Sequence, residues 1–198
     1  NDSAIINEDL IPNEKLALGR ESLVDAFLDA MHKNDRNSFI KRLKMYIAHF
    51  GDDRNSHTKE LAAAHEAGHA LIAHILGLNP SFSHISKDIN SDVWRGFTSQ
   101  DCMGEFKAGR NQPKFVAMAM CLLSGWVAEG IVGGVVDNNS LTEEKLLAFD
   151  IINRVSEVTE TTYVSLYSVI YRRTFLLIVQ NILVAKNIQK HLYCYGSI

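Results

Sequence analysis

Proline is scarce in this chain, with three in 198 residues, and glycine reaches only twelve. Collagen-like, linker-rich and extensively disordered chains carry far more of both, so those classes are excluded. Cysteine is nearly absent as well. Cys102, Cys121 and Cys194 are an odd number, at spacings that match neither a disulfide framework nor a Cys-x-x-Cys metal site, so a reducing compartment is expected. The opening NDSAIINEDLIPNEK holds no apolar run of signal-peptide length, which makes the cytoplasm the expected location. There is no excess of positive charge either. Twenty Lys and Arg face 23 Asp and Glu, a net charge of −3 that offers a polyanion no attracting field, and no nucleic-acid partner is expected. The most apolar late run, Phe175 to Ala185, is 11 residues long and contains Gln180 and Asn181. About 20 apolar residues are needed to cross a bilayer, so the run reads as a buried helix and no membrane span is expected.

What is present is helical periodicity on a 46% apolar chain, enough to build a sizeable core. Leu23, Val24, Phe27, Leu28 and Met31 share one face of a helix over residues 21–32, and Ile40, Leu43, Ile47 and Phe50 mark a second over 38–50. Residues 51–58 read as a loop, which divides an N-terminal helical extension, 1–57, from a main domain, 58–198. Thr58 is placed to cap a third helix that runs to Leu76 and stops at Gly77. Residues 82–98 suit a β-hairpin with an Asn-Ser-Asp turn, and 101–109 a loop. Pro113 suits the first position of a fourth helix with a stripe of Phe115, Ala119, Leu122 and Trp126, ending near Gly130. Thr142 caps a fifth helix to about Val158, and a long sixth fits 163–191. The fold class is therefore mainly α, a helical domain with a small hairpin or sheet beside the third helix.

That third helix contains His65-Glu66-Ala67-Gly68-His69, an HExxH arrangement. Residues four apart on a helix differ by about 40° around the axis and about 6 Å along it, so the two imidazoles project from one face. They are candidate ligands of one zinc ion. Glu66, about 100° further round, stays off the metal and is the candidate base for a water bound there. His74 falls about 180° from His65 and reads as a surface or packing residue. Histidines 32, 49, 57, 84 and 191 have no ligand spacing.

These residues resemble the peptidase domain of the FtsH family of ATP-dependent zinc metalloproteases, in which HEAGHA on a helix binds zinc. Arg95-Gly96-Phe97-Thr98 is similar to the family's Gly-x-Thr element, which borders the substrate cleft, and this assigns Gly96, Phe97 and Thr98 to substrate binding. Ser124-Gly125-Trp126-Val127-Ala128-Glu129, followed by Gly133 and Gly134, is similar to a Gly-Gly-Arg-x-Ala-Glu helix, with Trp126 in place of the arginine. The family's third zinc ligand is an aspartate near the start of the next helix. Glu144 stands at the equivalent place here, with Asp150 as its rival. Glu144 shares a face with Leu147, Ala148, Ile151, Val155 and Val158, whereas Asp150 lies with Glu143, Arg154 and Glu157, so Glu144 is favoured.

The resemblance implies a helical zincin-like fold and a zinc metalloendopeptidase acting on flexible or unfolded polypeptide, with an extended substrate paired to the edge strand at Gly96 to Thr98. No Gly-x-x-x-x-Gly-Lys-Ser/Thr phosphate loop occurs in the 198 residues, which leaves three alternatives: the chain cuts polypeptide that is already flexible, a separate unfoldase or delivery protein is its partner, or the cleft is kept for binding alone. Residues 20–50 are open to three roles: packing, a lid or a homo-oligomer contact. Two other readings stay open: a peptidase-derived domain that binds without cutting, and a zinc hydrolase of a non-peptide amide or ester. Glu129 is a candidate to orient a ligand histidine, or an exposed helix-end acid. Trp94 and Phe97 are open to either a substrate subsite or the core.

Overall fold

The computed structural model describes residues 58–90, 92–99, 112–134 and 142–198. The helices expected over 21–32 and 38–50, the boundary at residue 57, Cys102 and the loop expected over 101–109 lie outside these residues. The described chain is mainly helical. It runs α1 (Lys59–Ile75), β1 (Ser83–Lys87), β2 (Trp94–Thr98), α2 (Gln112–Ile131), α3 (Glu143–Thr159), α4 (Tyr163–Gln180) and α5 (Ile182–Tyr195).

The expected caps are in place. The hydroxyl of Thr58 accepts from the Leu61 amide, and that of Thr142 from the Lys145 amide, each satisfying an amide that its helix leaves unpaired. After α1, Gly77 takes a φ of +68°, a left-handed turn that glycine adopts without steric cost. Pro113 is the second residue of α2 rather than the first. Its missing amide hydrogen does no harm at either position, because first-turn amides have no partner within the helix.

Helix α1 lies at the centre, flanked by α2, the hairpin and α5, and almost every residue from Ala62 to Ala73 is buried. Its crossing with α2 is close because Gly68 lies against the other helix. A Cβ there would stand 2.3 Å from the Ser124 carbonyl oxygen and 2.7 Å from the Ala128 Cβ. The main core joins Leu71, Ile72, Leu123, Val127, Ile152, Ile170 and Ile178. A smaller one, Ala62, Ala63, Ile85 and Leu192, seats the hairpin between α1 and α5. The two strands are antiparallel with Ile85 opposite Gly96, and the C-terminal tail covers the outer edge of β1 through Ser83–Ile198 and Ile85–Gly196 backbone bonds.

Three expectations need correction. The long sixth helix is two helices bent by 79° at Asn181. Asn181 leaves helical geometry, and its amide and side-chain nitrogen both bond to the Leu177 carbonyl, which closes α4 locally. The apolar run through this break is not a buried helix. Only Ile178 and Ala185 of it are buried, while Phe175, Leu176, Val179, Leu183 and Val184 are 40% to 75% exposed. On α3, Leu147 and Val158 are exposed rather than inward, because the buried stripe is centred on Ala148, Ile152 and Val155. Among the described residues α2 alone is long and apolar enough to cross a bilayer as a single helix, and 61% of its apolar window is buried in the fold.

Candidate metal centre

His65 and His69 meet one turn apart on the buried face of α1, where α2 and the first turn of α3 close over them. The two Nε2 atoms are 2.9 Å apart. Glu144 Oε2 reaches in from α3, 2.8 Å from His65 Nε2 and 3.4 Å from His69 Nε2. A cation held tetrahedrally by bonds of about 2.0–2.1 Å requires ligand atoms roughly 3.3 Å apart. The three atoms therefore fit a metal ion with movements of a few tenths of an ångström, and the donor set of two imidazoles and a carboxylate is that of a metal site.

The other nitrogen of each ring is engaged. His65 Nδ1–H donates to Glu129 Oε1 at 2.5 Å, and His69 Nδ1–H donates to the Cys121 carbonyl at 2.8 Å. These bonds put the proton on Nδ1, leave Nε2 as the ligand atom and fix each ring's rotation. Glu129 is thus a buried partner of His65 rather than an exposed helix-end acid. Gly125 supplies the space, since a Cβ on it would stand 2.5 Å from His65 Nε2 and 2.6 Å from His69 Nε2. Neither Gly125 nor the Cys121 carbonyl carries a motif that reading the histidine spacing would find.

Asp150, the rival third ligand, is elsewhere. It forms an ion pair with Arg154 one turn along α3, at 2.9 Å, and is largely shielded rather than turned fully to solvent. Glu66 is 3% exposed and lies beside the two histidines against β2. Thr98 Oγ1 donates to its Oε2 at 2.6 Å, and a Cβ on Gly96 would collide with its Cγ at 2.2 Å. Gly96 and Thr98 therefore border the acid directly. Phe97 projects from the opposite face of the hairpin, 54% exposed, with Phe82 and His84. Trp94 is partly buried in the smaller core, with the Lys59 ammonium over its ring. His74 is exposed, as its position on the helix requires.

Burial alone would push the His65 imidazole pKa down; the Glu144 charge and the Glu129 hydrogen bond outweigh it and raise the pKa from 6.5 to about 9. Burial opposes and Glu144 drives the same upward shift at His69. Glu144 is pushed up by burial but pulled well below the usual carboxylate range by the two imidazoles. Since the two Nε2 atoms nearly touch, the three groups titrate as one cluster that retains a proton at neutral pH. A raised histidine pKa contributes stability that is full below 6.5 and lost as pH rises through about 9. The lowered Glu144 value contributes stability present above 4.5 and lost on acidification. Chelator-treated protein is expected to melt at progressively lower temperature as pH is raised from 6.5 to 9, followed by circular dichroism; a melting temperature constant across that window would contradict the coupling.

No protein-family model matches the chain, and no curated protein matches it.

Proposed function

We propose that this chain is a zinc-dependent metalloendopeptidase that hydrolyses peptide bonds in flexible or unfolded polypeptide and has no ATPase within these residues. The observation that carries the reading is the convergence of His65 Nε2, His69 Nε2 and Glu144 Oε2 with the carboxylate of Glu66 beside them and off the ligand set. Two imidazoles and one carboxylate are a donor set suited to zinc, and leave a fourth tetrahedral position open. The HExxH helix and the Gly96 to Thr98 element are the parts that resemble the FtsH peptidase domain, and they adjoin each other here.

Bound zinc supplies Lewis acidity towards a carbonyl oxygen and acidifies a water molecule. The protein's own residues do the rest. His65 and His69 present Nε2 in fixed orientation, Glu144 brings negative charge, and Glu129 increases the basicity of His65 by accepting its Nδ1 proton. Glu66 takes a proton from the attacking water and passes it to the leaving amine. Burial of this acid, 3% exposed against Gly96 and Thr98 of β2, keeps competing solvent away.

A peptide substrate suits the hairpin. Ser83 and Ile85 turn their amides to the C-terminal tail, so the alternate residues His84 and Ser86 of β1 bond to Phe97 and Arg95 of β2. By alternation, the amide and carbonyl groups of Gly96 and Thr98 face the edge of β2 that no strand among the described residues pairs, next to Glu66. An extended chain added there gains main-chain hydrogen bonds without demanding a particular sequence. The reading is tested with casein or an unstructured fluorogenic peptide. Cleavage is expected to vanish on chelation and to return with about one equivalent of zinc; a zinc-loaded protein that leaves every such substrate intact would overturn it.

A further inference from the structure

The geometry points to Ser83 and Thr98 as positioning residues that form a hydroxyl relay holding the Glu66 carboxylate in one orientation. The inference rests on the peptidase reading for its kinetic consequence, but the geometry stands apart from it. Thr98 Oγ1 is 2.6 Å from Glu66 Oε2 and 2.9 Å from Ser83 Oγ. A threonine hydroxyl has one hydrogen, and a carboxylate only accepts. Thr98 therefore donates to Glu66, and the Ser83 hydroxyl, 1% exposed, donates to Thr98. Ser83 and Thr98 lie directly opposite each other in the hairpin, on the face turned to α1. The relay thus uses the rigid cross-strand register to reach the acid.

The second constraint comes from Gly96. Its bare backbone lets the Glu66 side chain lie flat on β2, with Oε1 at a place where a Cβ on residue 96 would stand 2.4 Å away. Thr98 holds one oxygen and the Gly96 backbone bounds the other, so the carboxylate is constrained at both ends. A charge-assisted hydrogen bond of this length is strong and directional, and a fixed carboxylate loses no orientational freedom at the moment of proton transfer. Thr98 consequently serves Glu66 through its side chain, while its backbone faces the edge of β2 opposite β1.

Thr98→Val keeps the β-branched shape of the strand residue and removes only the hydroxyl. It is expected to lower kcat for peptide hydrolysis by about 10–100-fold, with KM and zinc content unchanged. Thr98→Ser should restore most of the rate. Ser83→Ala should lower kcat by less, and the Ser83→Ala/Thr98→Val double variant should be no slower than Thr98→Val, since both act through one bond. A loss in KM or zinc content without a loss in kcat, or equal activity of Thr98→Val and wild type, would overturn the relay. Crystal structures of zinc-loaded wild type and Thr98→Val provide a readout independent of turnover. The Glu66 carboxylate should be fixed in the former and rotated or spread over two orientations in the latter. An unchanged Glu66 in the variant would overturn the relay even if no peptide is cut, whereas an inactive wild type with the expected carboxylate shift would remove only the peptidase reading.

Discussion

Glu66→Gln is expected to retain one zinc ion per chain and to lose peptide hydrolysis by about 10²–10⁴-fold, the usual contribution of a positioned general base. The two effects separate because Glu66 is not among the converging ligand atoms. Its carboxylate points at β2 and accepts from Thr98, and an amide oxygen accepts from the same hydroxyl. Glutamine has the shape of glutamate, so the Gly96 surface accommodates it. What the amide lacks is the basic lone pair that takes a proton. Metal analysis together with initial rates on an unstructured peptide decides the matter. Undiminished cleavage by Glu66→Gln would remove Glu66 from the mechanism, and loss of zinc would show that it contributes to the metal site.

Gly125→Ala is expected to abolish stoichiometric zinc binding while α2 stays folded. The added methyl would occupy the space within 2.6 Å of both Nε2 atoms, where a metal ion must sit. The rings cannot swing aside freely, because Glu129 holds one and the Cys121 carbonyl the other. Alanine favours a helix over glycine by about 1 kcal/mol, so any loss of metal reflects the site rather than the helix. Gly68→Ala offers the contrast. Its methyl would press on the Ser124 carbonyl, which is backbone, so the helices must part, at a cost typical of overpacking, about 1–3 kcal/mol. Metal analysis and circular dichroism of both variants distinguish the cases; Gly125→Ala with wild-type zinc affinity would contradict the close approach.

The parts of this arrangement that were legible in the sequence depend on local periodicity. His65 and His69 lie four apart on a helix whose cap and stop signals stand at either end, and Thr142 marks the start of the helix that delivers Glu144. Glu144 converges with the two histidines and Asp150 does not, but not for the reason the helix face suggested. The buried stripe of α3 is rotated from the expected one, leaving Leu147 and Val158 exposed, and Asp150 is occupied by Arg154. Gly96, Phe97 and Thr98 were assigned together on the Gly-x-Thr resemblance, whereas strand alternation turns Phe97 away from Glu66 and leaves Gly96 and Thr98 beside it. The bend at Asn181 was not legible, since a single asparagine within an apolar helical pattern carries no stop signal. The clearance Gly125 gives the two imidazoles, the Cys121 carbonyl contact and the pairing of the C-terminal tail with β1 were hidden for another reason. Each acts through a neighbour distant in sequence, and spacing along one element says nothing about such contacts.

The most direct test of the metal centre is an anomalous-difference map at the zinc edge from crystals of the zinc-loaded protein. One peak is expected, at about 2.0–2.2 Å from His65 Nε2, His69 Nε2 and a Glu144 carboxylate oxygen. A peak coordinated by Asp150 in place of Glu144, or zinc bound away from the two histidines, would contradict the account.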